Sequence, residues 1–308
     1  MDVHYCAVKV LARCSGFSDE DAQTIAFASQ YVDDATEHKG ILVKDLPEAL
    51  ENALRSRNMI NDAGQFEPVC TAHKGIQYLS GLREEVQRKV YIPFHFVPGS
   101  PREPLVPLDR RVVPNGQIVS QLLDHWLHRL GDEHQFGGRL AALVGLGVAL
   151  HSYADTWSHH GFSGRREPEA NDIGRISIWK DDTWVPLGIL EQLQFNAMPS
   201  VGHGEAMNLP DLSHVTWKYE ESGDGTVHAR QNTEIFLGAA EHIHRKLSKA
   251  NGNEGKPWSD ISGRVRSCLE FPAESLEEKF LKWQEVFHEV HLEYEPKQWR
   301  RTALSGDG

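Results

Sequence analysis

The chain lacks any run of eighteen apolar residues among its 308. A simple membrane-spanning helix is therefore not expected. It also lacks basic clusters of more than a few residues, and its formal charge is −12. Duplex nucleic acid, which is bound largely by neutralising phosphates, is a poor partner for such a chain. The opening residues, MDVHYCAVKV, have no basic segment followed by an apolar core, so no secretory signal is expected. Its cysteines are few (Cys6, Cys14, Cys70 and Cys268) and show no Cys-x-x-Cys spacing. Without a signal they read as free thiols, and the expected location is cytoplasmic. Internal repeats and long interior linkers are absent too. Residues 1–300 are expected to form one domain, with 301–308 a disordered tail.

Histidine is what the chain has in excess, with 17 residues. The centre of interest is 140–164, LAALVGLGVALHSYADTWSHHGFSG. It begins as an uncharged apolar helix and then presents His151, Asp155 and His159 at intervals of four. On a helix that spacing stacks the three side chains on one face. Two imidazoles and a carboxylate on a face otherwise built for burial need a partner. A divalent metal is the natural one, since neutral imidazole and carboxylate are its usual ligands. The competing reading is a helix end whose polar residues simply reach water.

Other candidates are spread along the chain. His4 opens a short helix ending near Gly16. Ser18 is a helix N-cap, with Glu20 and Asp21 in a first turn where negative charge suits the helix dipole. That helix ends at SQYVDD, leaving Asp33 and Asp34 where acids oppose the dipole. His95 lies in PFHF, with Pro93 and Pro98 predicting an extended loop. His203 is flanked by glycines, and Glu205 and Asp211 are the acids that follow it. Helical periodicity is predicted near residues 118–130, 232–250, 259–269 and 276–294, with only a short hairpin near 176–184. The expected fold is all-α: one helical domain with a small irregular or hairpin insertion.

The order His4, Asp33 or Asp34, His95, His151-x3-Asp155-x3-His159, then His203 with a following acid resembles the zinc-dependent phospholipase C and single-strand nuclease superfamily. ALHSYADTW is similar to its His-x3-Asp helix, PFHF to its His-Phe loop and SQYVDD to its early aspartate. The segments DVHY, SQYVDDAT, PFHFVPG, LHSYADTWSHHGFSG and GHGEAMNLPD together resemble a family of intracellular proteins that brings no activity with it. The superfamily resemblance implies an all-helical enzyme with two or three zinc ions. The implied metal set is His4, Asp33, His95, His151, Asp155, His159, His203 and Asp211, with Asp155 bridging. Asp2 or His4 would replace the processed N-terminal amine that binds one zinc in the secreted enzymes, or the third metal would be absent; Glu205 could stand in for Asp211, and His160 for His159. Asp33 or Asp34 would serve as ligand or general base. The expected chemistry is hydrolysis of a small phosphoester or acyl compound by a metal-bound hydroxide. Iron or manganese could replace zinc. A di-iron oxygenase is one alternative, for which Glu241 to His244 is a Glu-x-x-His occurrence. A non-catalytic helical protein with structural zinc is the other.

Overall fold

The computed structural model describes residues 1–37, 39–42, 47–73, 82–100, 106–132, 137–188, 201–252 and 254–298. The tail expected at 301–308 lies outside them. The α-helices are α1 Val8–Cys14, α2 Asp19–Asp34, α3 Glu48–Arg55, α4 Glu84–Val86, α5 Gln117–Arg129, α6 Gly138–Ser158, α7 Pro168–Asn171, α8 Asn232–Ala250, α9 Trp258–Glu270 and α10 Leu276–Val286. The strands are β1 Ile41–Leu42, β2 Gln65–Phe66, β3 Ile173–Lys180, β4 Thr183–Pro186, β5 Thr216–Glu221 and β6 Val227–Gln231. No helix among the described residues is long and apolar enough to cross a membrane.

Among the described residues 54% are helical and 12% are in strands, with a two-stranded and a four-stranded antiparallel sheet. The all-α expectation is thus wrong, and the architecture is mixed α/β. The larger sheet runs β4-β3-β5-β6. The hairpin near 176–184 is only its outer half: β3 and β4 join through Asp181 and Asp182, both at positive φ. A two-residue turn of that hand matches the natural strand twist. The inner half pairs β5 with β6, placing Trp217 opposite Arg230 and Tyr219 opposite His228. Its signal was present in the sequence, as a period-two run from Thr216 and a glycine-containing turn at 222–225. Two further expectations also change. The last helix stops at Val286 rather than reaching Tyr294, and His95 ends a π-helical segment, Gln87–His95, instead of an extended loop. Pro93 sits inside that segment. π-Turns are rare and concentrate at functional sites.

Helix α6 is apolar around most of its circumference, so it is buried rather than laid on the surface. It packs against α2, α5 and α8, and its Leu143, Leu146, Leu150 and Tyr153 belong to the main helical core. A second core, formed by Tyr91, Phe96, Phe162, Ile176 and Trp217, underlies the large sheet. Ser18 starts α2 by accepting a hydrogen bond from the Asp21 amide. Where α2 crosses α6, Gly147 lets the backbones meet. A Cβ at that position would stand 2.3 Å from the Ile25 carbonyl oxygen and 2.7 Å from the Ala28 methyl. The close crossing brings the Ser29 carbonyl within 2.9 Å of His151 Nδ1.

That crossing yields a test. Replacing a helical glycine by alanine gains up to about 1 kcal/mol of helix propensity. Overpacking a close contact costs roughly 1–3 kcal/mol. We expect Gly147→Ala to lose stability on balance. Gly263→Ala on α9, where nothing lies within 4 Å of a new Cβ, should gain it. Urea unfolding of the two variants measures both signs.

Candidate metal centre

The candidate residues come from segments that the fold folds back onto α6. His4 lies on the π-helical turn Asp2–Ala7, Asp33 in the last turn of α2, and His95 at the end of Gln87–His95. His151 and Asp155 are on α6, and His159 caps its C-terminus. His203 and Asp211 come from two short turns between the sheet's halves. Three groups form, each with one ligand atom per residue within 4.8 Å of the others: His4, His151, Asp155; Asp33, His95, His151; and His159, His203, Asp211.

Asp155 is 2% exposed and stands at the junction. Its Oδ1 lies 3.0 Å from His4 Nε2. Its Oδ2 lies 3.1 Å from His95 Nδ1, 3.3 Å from His151 Nε2 and 3.7 Å from His159 Nδ1. His159 Nε2 is 3.0 Å from Asp211 Oδ1, and His203 Nε2 is 3.5 Å from Asp211 Oδ2. Asp33 Oδ1 is 3.7 Å from His151 Nε2.

The other side of each ring matters as much. His151 Nδ1 donates to the Ser29 carbonyl at 2.9 Å, and His159 Nδ1 to the His95 carbonyl at 2.8 Å. His203 Nδ1 donates to the Met207 carbonyl at 2.7 Å, and His95 Nε2 to the Thr71 carbonyl at 2.8 Å. A carbonyl only accepts, so each of these nitrogens carries the proton. In the neutral rings the opposite nitrogen is then a lone pair aimed into the cluster. His151 Nε2 and His95 Nδ1, both in that state, are only 3.2 Å apart. Lone pairs facing lone pairs and carboxylates repel unless a cation lies among them. The donor set therefore fits a divalent metal held by nitrogen and oxygen, with its backbone partners already in place. His4 departs from the pattern: its Nδ1 is buried with no hydrogen-bond partner among the described residues.

Protons can meet the same need in the metal-free protein. Burial opposes a charge on His159, but the Asp155 and Asp211 carboxylates outweigh it and raise its pKa to about 9. Burial opposes ionisation of Asp211 too, but His203 and His159 bring its pKa to about 2. Asp155 is likewise driven well below the carboxylate range, because His159, His151 and His4 outweigh its burial. His203 goes the other way, to about 4, because burial dominates.

Several alternatives left open by the sequence now have positions. Asp34 turns from the histidines and accepts the Tyr294 hydroxyl, although it still lines the same cavity. Glu205 accepts the Ile173 amide at 2.8 Å, so Asp211 is the acid that meets His203. His160 donates to the Trp157 carbonyl and belongs to none of the three groups. Asp2 is engaged by Trp283, Ser213 and Lys279. Sequence reasoning missed Gln30, one turn before Asp33, whose amide donates to Asp33 Oδ2 at 3.4 Å. It also missed Tyr294 and the role of the Thr71 carbonyl. Nothing in a side-chain pattern reveals a backbone acceptor, although helical spacing could have flagged Gln30. The cluster opens into a cavity of about 780 Å³, whose wall includes Val3, Gln30, Phe236, Leu212 and Tyr294.

The raised His159 pKa has a defined consequence. A group whose folded pKa exceeds its unfolded value contributes stability below the unfolded pKa and loses it as pH rises through the folded one. In chelator-stripped protein we expect the His159 contribution to be complete below pH 6.5 and to vanish as pH passes about 9. His159→Gln should flatten that slope in urea unfolding measured across the interval.

No curated protein and no solved structure matches the chain. A family description matches residues 1–307, essentially the whole sequence. The chain belongs to DUF6765, a family of unknown function.

Proposed function

We propose that the protein is a metal-dependent hydrolase, zinc being the best fit, acting on a small phosphoester or acyl compound. The observation carrying this reading is Asp155, whose two oxygens face different sets of imidazoles. A carboxylate so placed can span two cations, whereas each imidazole offers one nitrogen. When bound, a zinc pair would lower the pKa of a water to about 7 and polarise the scissile ester or acyl group.

The chain's own residues have separable tasks. His95, His151, His159 and His203 hold their lone pairs inward through backbone carbonyls. Asp33, partly exposed at the cavity and steadied by Gln30, is placed to ligate or to take a proton from an attacking water. Asp34, tied to Tyr294, sits where it can orient a substrate group. Phe96 stacks on His159 with ring centroids 4.6 Å apart and limits its rotation. The cavity is of a size that takes a small molecule. The net charge of −12 weighs against duplex nucleic acid as substrate. All four cysteines are free, which suits a reducing cytoplasm.

Structural zinc sites are closed by four protein ligands, whereas this cluster faces a cavity, which favours a reactive centre. A di-iron oxygenase would draw on a carboxylate-richer set with paired Glu-x-x-His motifs. The Glu-x-x-His spacings here, Glu241 to His244 and Glu285 to His288, lie outside the three groups.

Elemental analysis of purified protein separates the readings. We expect two or three zinc ions per chain and hydrolysis of a model phosphoester or acyl ester. Iron with a visible charge-transfer band would favour the oxygenase, and a single zinc the structural role. Asp155→Asn keeps the side chain's shape but removes its charge, and should lose metal from more than one group and abolish turnover. His160→Ala should keep its metal. Full stoichiometry in the Asn variant, or a larger loss in the His160 variant, would sink the bridging assignment.

A further inference from the structure

We infer that Arg230 is a positioning residue for the metal group of His159, His203 and Asp211, and that the four-stranded sheet holds it there. The inference rests on the metal reading above and adds a part for the sheet. Arg230 lies on β6, opposite Trp217, and is 2% exposed. Burying a guanidinium usually requires a carboxylate, because a lone charge is costly out of water. No Asp or Glu within 4 Å pairs with it among the described residues. Its partners are instead the Tyr219 hydroxyl and the backbone carbonyls at the end of α6. Nη1 donates to the His160 carbonyl at 2.9 Å, while Nη2 reaches those of Ser158 and Trp157. Its Cζ stands 5.5 Å from the Trp217 ring centroid.

Those carbonyls have a physical reason to attract it. The last carbonyls of a helix lack intrahelical partners and carry the negative end of its dipole. A planar fork of donors can engage several at once, which an ammonium cannot. The gripped carbonyls belong to Ser158 and His160, on either side of His159. The peptide plane that leads into His159 and the one that follows His160 are thus held by one side chain. From there His159 sends Nδ1 to the His95 carbonyl and Nε2 toward Asp211. Releasing the grip would let His159 swing from Asp211 and His203. The contacts around His151 and His95, which use Ser29 and Thr71, would remain.

The test is zinc titration of metal-free wild type, Arg230→Lys and Arg230→Gln against a chromophoric chelator. Loss of an outer partner of a metal ligand typically weakens affinity ~10–100-fold. We expect that loss in one class of zinc sites for Arg230→Gln, a smaller loss for Arg230→Lys, and unchanged affinity in the remaining class. Imidazole nitrogen resonances of the metal-free variants give a readout independent of zinc. The His159 signals should change, while those of His151 and His95 stay. Unchanged affinity in every class for Arg230→Gln would overturn the inference alone. So would equal weakening of all classes with all histidine signals displaced, the mark of general unfolding. Wild-type protein that binds no zinc would overturn the metal reading and this inference with it.

Discussion

Four imidazoles each give one N–H to a backbone carbonyl, and this arrangement governs the centre of the molecule. The carbonyls belong to Ser29, Thr71, His95 and Met207, on four separate segments. Each hydrogen bond fixes a ring's tautomer and direction, and so determines that a lone pair points inward. Asp155, Asp33 and Asp211 then face those lone pairs instead of donors. Such a constellation is electrostatically incomplete unless protons or metal ions join it. The strong opposing pKa shifts on Asp211 and His159 express that tension.

The remaining architecture serves to place those acceptors. The glycine at 147 allows α2 against α6, so the Ser29 carbonyl meets His151 and Asp33 comes near it. The π-helical run through Pro93 ends with His95 turned onto Asp155, and its carbonyl accepts from His159. Phe96 follows at once and packs on His159 and His203. Beyond Ser158, the second core and its sheet take over from the helical core. Trp217, Tyr219 and Arg230 bind that sheet to the end of α6. The sheet is therefore more than an insertion that a helical scaffold tolerates.

How much of this was legible depended on whether the information was local. Ser18 as an N-cap, α2 ending at Asp34 and α8 over Asn232–Ala250 followed from periodicity and capping, which operate within one turn of the chain. The β5–β6 pair shows in the sequence only as a short alternation from Thr216, and a run of that length does not declare itself a strand until its partner is paired beside it. The π-helix at His95 was read as extended because two prolines outweighed the weak helical signal before them. In the case of α10, the pattern ran on through Phe287 and Val290, but the helix stopped at Val286 and both residues were buried anyway.

The sequence by itself determined that His151, Asp155 and His159 share one helical face, since a spacing of four can do nothing else on an α-helix. It also determined that this face follows an uncharged apolar run and would be buried. Only the tertiary structure decided which acid of each pair meets the histidines: Asp33 over Asp34, and Asp211 over Glu205. It alone supplied the carbonyl acceptors and the guanidinium at the end of α6. The reason is physical. Those choices depend on the distance and rotation between segments that are remote in the chain. Packing at points such as Gly147 sets these, and no residue's own neighbours encode them.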